Sequence, residues 1–401
     1  MTRSGNYRIS RRRVLGAALT ACGLPNVRQA MGWQQPPAVT GAVRLKLSKR
    51  LDWCFYRAGS SELGKLCVCL THLRSGKMTI GAKDGRRFIT REPNPLSLAV
   101  FEIGSWKEIY RSPLPGDNAY FSFFLGGQAL YGSTSTYEPL TKHQMVTDLR
   151  NGTTEEQVHA YDPENATMYY PLSGRTLIGF RNDRELLQVH WPDMKEVLRV
   201  DAGGEVRGFS FTADRKTLIH VVGQKLVCRS ASDFSPLWTR EIDKDFDLTE
   251  RMPWHPPSYG PHIASAYYSI SADGGTAILA PGRAPYRGTP ARYYLEILEG
   301  ASGRPIARWP VSHKDNIAIS ADGKMLAIAE TSGGDKHGTV QSIVRLYDVP
   351  SGAPLASLVH DLVPWKHRVN ARVEIDFTAD GKYLITSAYT NVKIWSVERV
   401  G

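Results

Sequence analysis

One phrase recurs through the C-terminal half of the chain: an alternating apolar strand, a hydroxyl residue, an Ala-Asp-Gly turn and a second apolar strand. It reads Ile317-Ala318-Ile319-Ser320-Ala321-Asp322-Gly323-Lys324-Met325-Leu326 and again Ile375-Asp376-Phe377-Thr378-Ala379-Asp380-Gly381-Lys382-Tyr383-Leu384. Two shorter copies are Tyr268-Ser269-Ile270-Ser271-Ala272-Asp273-Gly274 and Phe209-Ser210-Phe211-Thr212-Ala213-Asp214. Period-two alternation buries one face of a strand, and Asp-Gly supplies the positive backbone angles of a tight hairpin. In the last of these copies Arg215 stands where the others have Gly, which predicts a less regular turn.

Each phrase is followed by two more strand-like segments. Residues 343–348 lead through Pro350-Ser351-Gly352 to 355–358, and residues 294–298 lead through Ala301-Ser302-Gly303 to 306–309. The unit therefore has four strands. Its Asp-Gly turns are 49 residues apart from Asp273 to Asp322 and 58 from Asp322 to Asp380. Weaker copies lie upstream, turning at Ser173-Gly174, Gly126-Gly127 and Asp84-Gly85. Counting turns near Gly85, Gly127, Gly174, Asp214, Gly274, Gly323 and Gly381 gives seven units, the first three degenerate. The expected fold is all-β, a single β-propeller of about seven four-stranded blades over residues 42–401, its periods stretched by inserted loops. The last unit runs out of chain after three strands. The segment Ala42-Val43-Arg44-Leu45-Lys46-Leu47 alternates apolar and basic residues, as a half-exposed edge strand does, and is expected to complete that blade.

The turn Ser/Thr-Ala-Asp-Gly-Lys, followed by an apolar strand and Val392-Lys393-Ile394-Trp395-Ser396, resembles the WD40 repeat, with Ser396 where the family has Asp after Trp. Leu346-Tyr347-Asp348 keeps the Asp but has Tyr for Trp, and His313 stands near the family's Gly-His, with Ser312 for Gly. The resemblance covers residues 205–401 in sequence and 43–200 only in architecture. It implies a scaffold and carries no reaction with it.

The N-terminus has a different character. Ser10-Arg11-Arg12-Arg13-Val14-Leu15 precedes the short apolar stretch Gly16-Ala17-Ala18-Leu19-Thr20-Ala21, the order of an export leader. The pair Arg11 and Arg12 resembles the twin-arginine signal, with Val14 for the usual Phe, which implies passage of a folded protein to the periplasm. Leu19-Thr20-Ala21-Cys22 is similar to a bacterial lipobox, and Cys22 is either the lipid attachment site or lost with the leader. Residues 1–21 are thus assigned as export signal and 22–41, with Pro25, Gln34, Gln35, Pro36 and Pro37, as a flexible tether. No apolar run reaches the roughly 18 residues needed to span a bilayer as a helix, so membrane contact is expected only through a lipid at Cys22.

The net charge of +11 invites a nucleic-acid partner, yet six arginines fall in residues 1–30 with no acidic residue. Without residues 1–21 the excess is about +6, with no basic cluster interleaved with aromatics, so no nucleic acid is expected. Of the cysteines beyond the leader, Cys54, Cys67, Cys69 and Cys228, the Cys67-Val68-Cys69 pair shares one strand face and is read as buried thiols, with a bridge to Cys54 left open. Asp243, Asp245 and Asp247 alternate like the start of a calcium loop, but Trp254 stands where its closing carboxylate belongs. No nucleophile elbow, phosphate loop or dinucleotide fingerprint occurs, so no catalytic, cofactor-binding or metal-ligating residue is assigned. The strongest local anomaly is Arg251-Met252-Pro253-Trp254-His255-Pro256-Pro257-Ser258-Tyr259-Gly260-Pro261-His262, a stiffened loop that offers Trp254, His255, Tyr259 and His262 as partner-binding candidates. The expected function is a monomeric, exported, non-catalytic scaffold for a protein or peptide in the cell envelope. A small-ligand-binding or hydrolytic propeller is the alternative.

Overall fold

Strands whose side chains alternate between two apolar faces need cover on both sides, and the chain supplies it by placing sheet against sheet. The computed structural model describes the backbone of residues 43–399 apart from 53, 61–65, 73–77, 84–85, 92–95, 115–117, 125–126, 138–139, 161–166, 183, 207, 247, 249–263, 284–291, 312–315, 332–338, 361–362, 365–372 and 389–390, with side chains for 43–51 and most of 97–399. All of these belong to one compact unit, Ala38–Gly401. Seven four-stranded antiparallel sheets follow one another among the described residues. Blade 1 consists of Cys54–Ser60, Leu66–His72, Leu96–Glu102 and Glu108–Pro113, and blade 2 of Asn118–Phe123, Ala129–Tyr137, Leu140–Asp148 and Thr154–Ala160. Blade 3 is Thr167–Pro171, Thr176–Arg181, Glu185–His190 and Lys195–Asp201; blade 4 is Ser210–Phe211, Thr217–Val222, Lys225–Ser230 and Pro236–Glu241. Blade 5 is Ala264–Ile270, Thr276–Arg283, Arg292–Glu299 and Pro305–Pro310, and blade 6 is Asn316–Ile319, Met325–Thr331, Ser342–Asp348 and Pro354–Val359.

Blade 7 takes Glu374–Phe377, Tyr383–Ala388 and Asn391–Arg399 from the C-terminus and its fourth strand, Val43–Asp52, from the other end of the chain. The register runs from Val43 opposite Arg399 to Asp52 opposite Asn391. The ring closes as the sequence requires. Seven apolar clusters fill the seven junctions between neighbouring blades, and the one holding Leu51, Ala99, Phe101, Ile385, Val392 and Ile394 joins blade 7 to blade 1. Adjacent residues of one strand serve opposite junctions: Leu98 and Val100 face blade 2 while Ala99 and Phe101 face blade 7. Double-sided burial explains why the middle strands read as unbroken apolar runs.

Two expectations need correction. The turn at Asp84-Gly85 does not join the first strands of blade 1. It lies between Lys83 and Arg86 of an additional hairpin, Met78–Lys83 with Arg86–Arg91, inserted between the second and third strands of that blade. The turn at Arg215 is as regular as its sisters. Arg215 adopts φ +56°, beside +74° at Gly274 and +68° at Gly323 and Gly381, and donates its N–H to the Thr212 carbonyl at 3.0 Å. Thr212 and Asp214 on either side of Ala213 hold it there, the hydroxyl accepting the Thr217 N–H and the carboxylate the Lys216 N–H.

In six of the seven blades the fourth strand carries one residue more than its partner at the same place, a β-bulge. The extra residues are Ser48, Ile109, Val197, Leu237, Ile306 and Leu355. A bulge twists an edge away from further pairing, which suits strands whose outer hydrogen-bonding groups face solvent. It also accounts for the exposed Ile109, Val197, Leu237 and Ile306. These are single apolar residues on separate blades, and such scattered exposure calls for no binding partner.

Candidate functional site at the turn-side mouth of the channel

The Ser/Thr-Ala-Asp phrase builds a hook. In blade 6 the Ser320 hydroxyl donates to Asp322 at 2.7 Å and accepts from the Met325 N–H at 2.9 Å, while Asp322 accepts from the Lys324 N–H at 3.1 Å. Thr212, Ser271 and Thr378 make the same three bonds with Asp214, Asp273 and Asp380 in blades 4, 5 and 7. Burial would raise the carboxyl of Asp322, but the bonds from Ser320, the Lys324 N–H and Arg399 outweigh it and hold the group below its ordinary value. These aspartates are committed to their own turns. Neighbouring hooks are linked in turn, Ala213 N–H to the Ala272 carbonyl at 2.9 Å and Asp273 N–H to the Ala321 carbonyl at 3.1 Å.

The linked turns frame the mouth of a cavity of about 540 Å³ between the first strands of the blades. That is within the range of small-molecule sites, roughly 300–1,000 Å³. Tyr120, Tyr170, Phe209 and Phe211 of blades 2 to 4 form one wall, and Ile317, Ile319 and Ile375 of blades 6 and 7 line the other side with Asp376. The aromatic wall is an edge-to-face chain: Tyr120 to Tyr170 at 5.3 Å, Tyr170 to Phe209 at 5.3 Å and Phe209 to Phe211 at 5.8 Å. Such contacts are each worth about 0.5–1.5 kcal/mol beyond area burial and hold the rings as a fixed surface. Ser210, between the two phenylalanines, accepts the Ile270 N–H at 3.2 Å and stitches blade 4 to blade 5.

The cavity lies beside an interruption. The first strand of blade 4 pairs over Ser210 and Phe211 only, breaks at Gly208 with φ +100° and touches its neighbour again at Val206 opposite Val222. A Cβ at Gly208 would come within 3.3 Å of the Tyr170 hydroxyl, and the Gly208 carbonyl accepts the Tyr268 hydroxyl at 2.9 Å. At the rim stands Arg215, its guanidinium carbon 4.8 Å from the centre of the Phe211 ring. A left-handed conformation costs a residue with a Cβ about 1–2 kcal/mol, which glycine escapes. Behind the wall, Arg229 donates to His220 Nε2 at 2.9 Å and to the Phe234 carbonyl at 2.8 Å, and reaches the Ala202 carbonyl of the blade 3 side at 3.4 Å. Burial, with the Arg229 charge second, pushes the His220 imidazole down to about 3, so it is neutral and accepts the bond.

Arg11, Arg12 and Cys22 lie outside the described residues, as do Trp254, His255, Tyr259, His262 and His313. Among the described residues no three His, Cys, Asp or Glu side chains converge as a metal site. Asp243 instead pairs with Arg308 at 3.3 Å and accepts the Asp245 N–H at 3.1 Å, while Asp247 lies outside the described residues. Cys228 is a buried free thiol, pushed up to about 12 by burial. The channel residues were legible only as strand residues. Their signal was Arg215, a costly residue at a glycine position.

No family model and no curated protein matches the chain. In structure it is similar to the β-propeller domain of Cps50 (Swd1) from Myceliophteria thermophila, with a TM-score of 0.53 and 10% identity over 88% of this chain and 100% of that one. That likeness shows the fold.

Proposed function

We propose that this chain is an exported, non-catalytic propeller scaffold that binds a protein or peptide through the face opposite the hooked turns. The supporting observation is an asymmetry between the two faces. Antiparallel strands put the connections after the first and third strands at one end of each blade and all others at the opposite end. Among the described residues the connections at the hooked end are short turns. The long connections, residues 73–95, 242–263, 284–291, 332–341 and 360–373, all join strand ends at the opposite face. Two of them meet there, where Thr339–Val340 pairs with Val363–Pro364. Long loops on a rigid scaffold are the usual carriers of recognition, and the segment bearing Trp254, His255, Tyr259 and His262 belongs to one of them. The twin-arginine resemblance at Arg11 and Arg12 supports an envelope address, with Cys22 as candidate anchor.

The test is crosslinking in intact cells followed by fractionation. A defined adduct in the envelope fraction is expected. Trp254→Ala with Tyr259→Ala should remove it at unchanged melting temperature, and Arg11→Lys with Arg12→Lys should leave the chain in the cytoplasm without the adduct. An adduct indifferent to the loop variant removes the binding claim, and undiminished export of the arginine variant removes the address.

A further inference from the structure

The strand that closes the ring carries a charge that closure does not need. Val43–Asp52 is the outer strand of blade 7, and its first eight residues, Val43-Arg44-Leu45-Lys46-Leu47-Ser48-Lys49-Arg50, hold four bases and no acid. Val43 and Leu45 pack into the junction of blades 6 and 7, so Arg44 and Lys46 take the face toward blade 1, level with Glu398 and Ser396 of the paired strand. The bulge at Ser48 then changes the parity. Lys49 comes to lie opposite Ile394 and Leu51 opposite Val392, and Leu51, Ile394 and Val392 belong to the junction with blade 1. Lys49 therefore joins the row of Arg44 and Lys46, and Arg50 turns to the other face. Arg44 and Lys46 are exposed and Lys49 half-buried, and among the described residues none of the three makes an ion pair. The acids beside the row are Glu398, opposite Arg44, and Glu108 of blade 1, which is committed to Arg111 at 2.6 Å. A positive excess remains.

From Arg44 to Lys49 an extended strand covers about 16 Å. The cations form a line along an outer edge rather than a cradle for one phosphate, and no aromatic residue interleaves them as a base-stacking surface requires. Spaced cations on a rim suit a surface of many separate anionic headgroups. The place in the chain agrees. Val43 heads the strand, so residues 1–42, with their six arginines and the candidate anchor Cys22, attach at this same edge. One acyl chain gives only marginal membrane binding, and a polybasic patch is a usual second signal.

We propose that the outer strand of blade 7 docks on an anionic phospholipid bilayer through Arg44, Lys46 and Lys49. The biological setting rests on the envelope reading above; the contact itself needs no acyl chain. Each basic residue at such a surface is worth about fivefold in partitioning, so the three supply roughly a hundredfold.

The experiment sediments the purified full chain with vesicles of phosphatidylcholine alone and of phosphatidylcholine with about one-third phosphatidylglycerol. The chain is expected to partition onto the anionic vesicles. Arg44→Gln with Lys46→Gln and Lys49→Gln should lower that partitioning at least about tenfold. Arg184→Gln with Lys195→Gln and Lys244→Gln, which removes the same charge elsewhere on the ring, should lower it by less than about half. The arginines of residues 1–42 are present in every variant and cancel from the comparison. Arg44→Lys with Lys46→Arg and Lys49→Arg keeps the charge and should keep the binding. Melting temperatures are read alongside, and if the triple glutamine variant melts early the single substitutions, each expected to cost about twofold to fivefold, carry the test. No preference for the anionic vesicles, equal losses from the two triple glutamine variants, or lost binding in the charge-keeping variant would each overturn the proposal. So would a loss confined to a single-stranded oligonucleotide, which would assign the row to nucleic acid. Failure here leaves the export signal and the loop-face partner standing, and undiminished export of the Arg11 and Arg12 variant leaves vesicle binding standing.

Discussion

Blades 2 and 6 make the same turn with different chemistry. In blade 6 the Ser320 N–H reaches the Met325 carbonyl at 2.8 Å and the Gly323 N–H returns to the Ser320 carbonyl at 2.9 Å, with Gly323 at φ +68°. In blade 2 the Phe124 N–H reaches Ala129 at 2.9 Å and the Gly127 N–H returns to Phe124 at 2.9 Å, with Gly127 at φ +67°. The backbone is one turn. Ser320 anchors it through a hydroxyl and a carboxylate, whereas Phe124 anchors it by burial among Tyr131, Tyr169, Leu177 and Trp191. The ring therefore demands a turn geometry and leaves the means of holding it open. Blades 4 to 7 use polar hooks and read as clear repeats; blade 2 uses apolar packing and reads only as a weak copy.

The largest expected effect falls on the strand that joins the two arcs. Val43 and Leu45 pack into the junction of blades 6 and 7, and Leu51 packs against blade 1. Deleting residues 43–52 should abolish cooperative unfolding altogether, because both junctions lose apolar cover and blade 7 gains an unpaired edge. Circular dichroism melting checks this, and a cooperative transition within a few degrees of the full chain would mean that either arc stands without closure.

Next comes the contrast between the anchors themselves. Phe124→Ala should cost about 3–5 kcal/mol as a large core truncation. Ser320→Ala should cost about 1–2 kcal/mol for its lost hydrogen bonds. Urea titrations measure both, and equal losses would erase the distinction between packed and hooked turns.

The smallest effect concerns His220, at the boundary between the irregular and hooked arcs. Its folded value of about 3 lies below the ordinary value of 6.5. Stability is therefore complete above about pH 6.5 and falls as acid protonates the unfolded chain first, the loss ending near the folded value. At pH 5.5 the loss should be about 1 kcal/mol, and His220→Gln, which can still accept from Arg229, should flatten that slope. An unchanged slope would place the acid sensitivity elsewhere.

Glycine at the blade junctions shows how local sequence and packing share one position. Gly303 has φ +68°, which the turn alone would select, but a Cβ there would also fall 2.5 Å from Cε3 of Trp238 in the neighbouring blade. Gly352 lies likewise against Trp309, at 3.0 Å for such a Cβ. Ser302-Gly303 and Ser351-Gly352 mark turns in the sequence. Nothing in it says which tryptophan lies over them.

By itself the sequence determined the strand period, the turn positions of blades 4 to 7 and the closure of the last blade by the segment that begins at Val43, because alternation, hydroxyl-Asp-Gly chemistry and a missing fourth strand are all local signals. Tertiary structure decided the rest. Phe209 and Phe211 alternate like any buried strand, and only the ring places them on a cavity wall with Tyr120 and Tyr170. Asp84-Gly85 has the composition of a blade turn, and only the pairing of Leu66–His72 with Leu96–Glu102 sets it in an insertion. Arg215 departs from the repeat in one dimension and stands at a rim in three. The physical reason is range: hydrogen bonds within a turn join residues a few positions apart, whereas the cavity is defined by strands from six blades that meet only once the ring has closed.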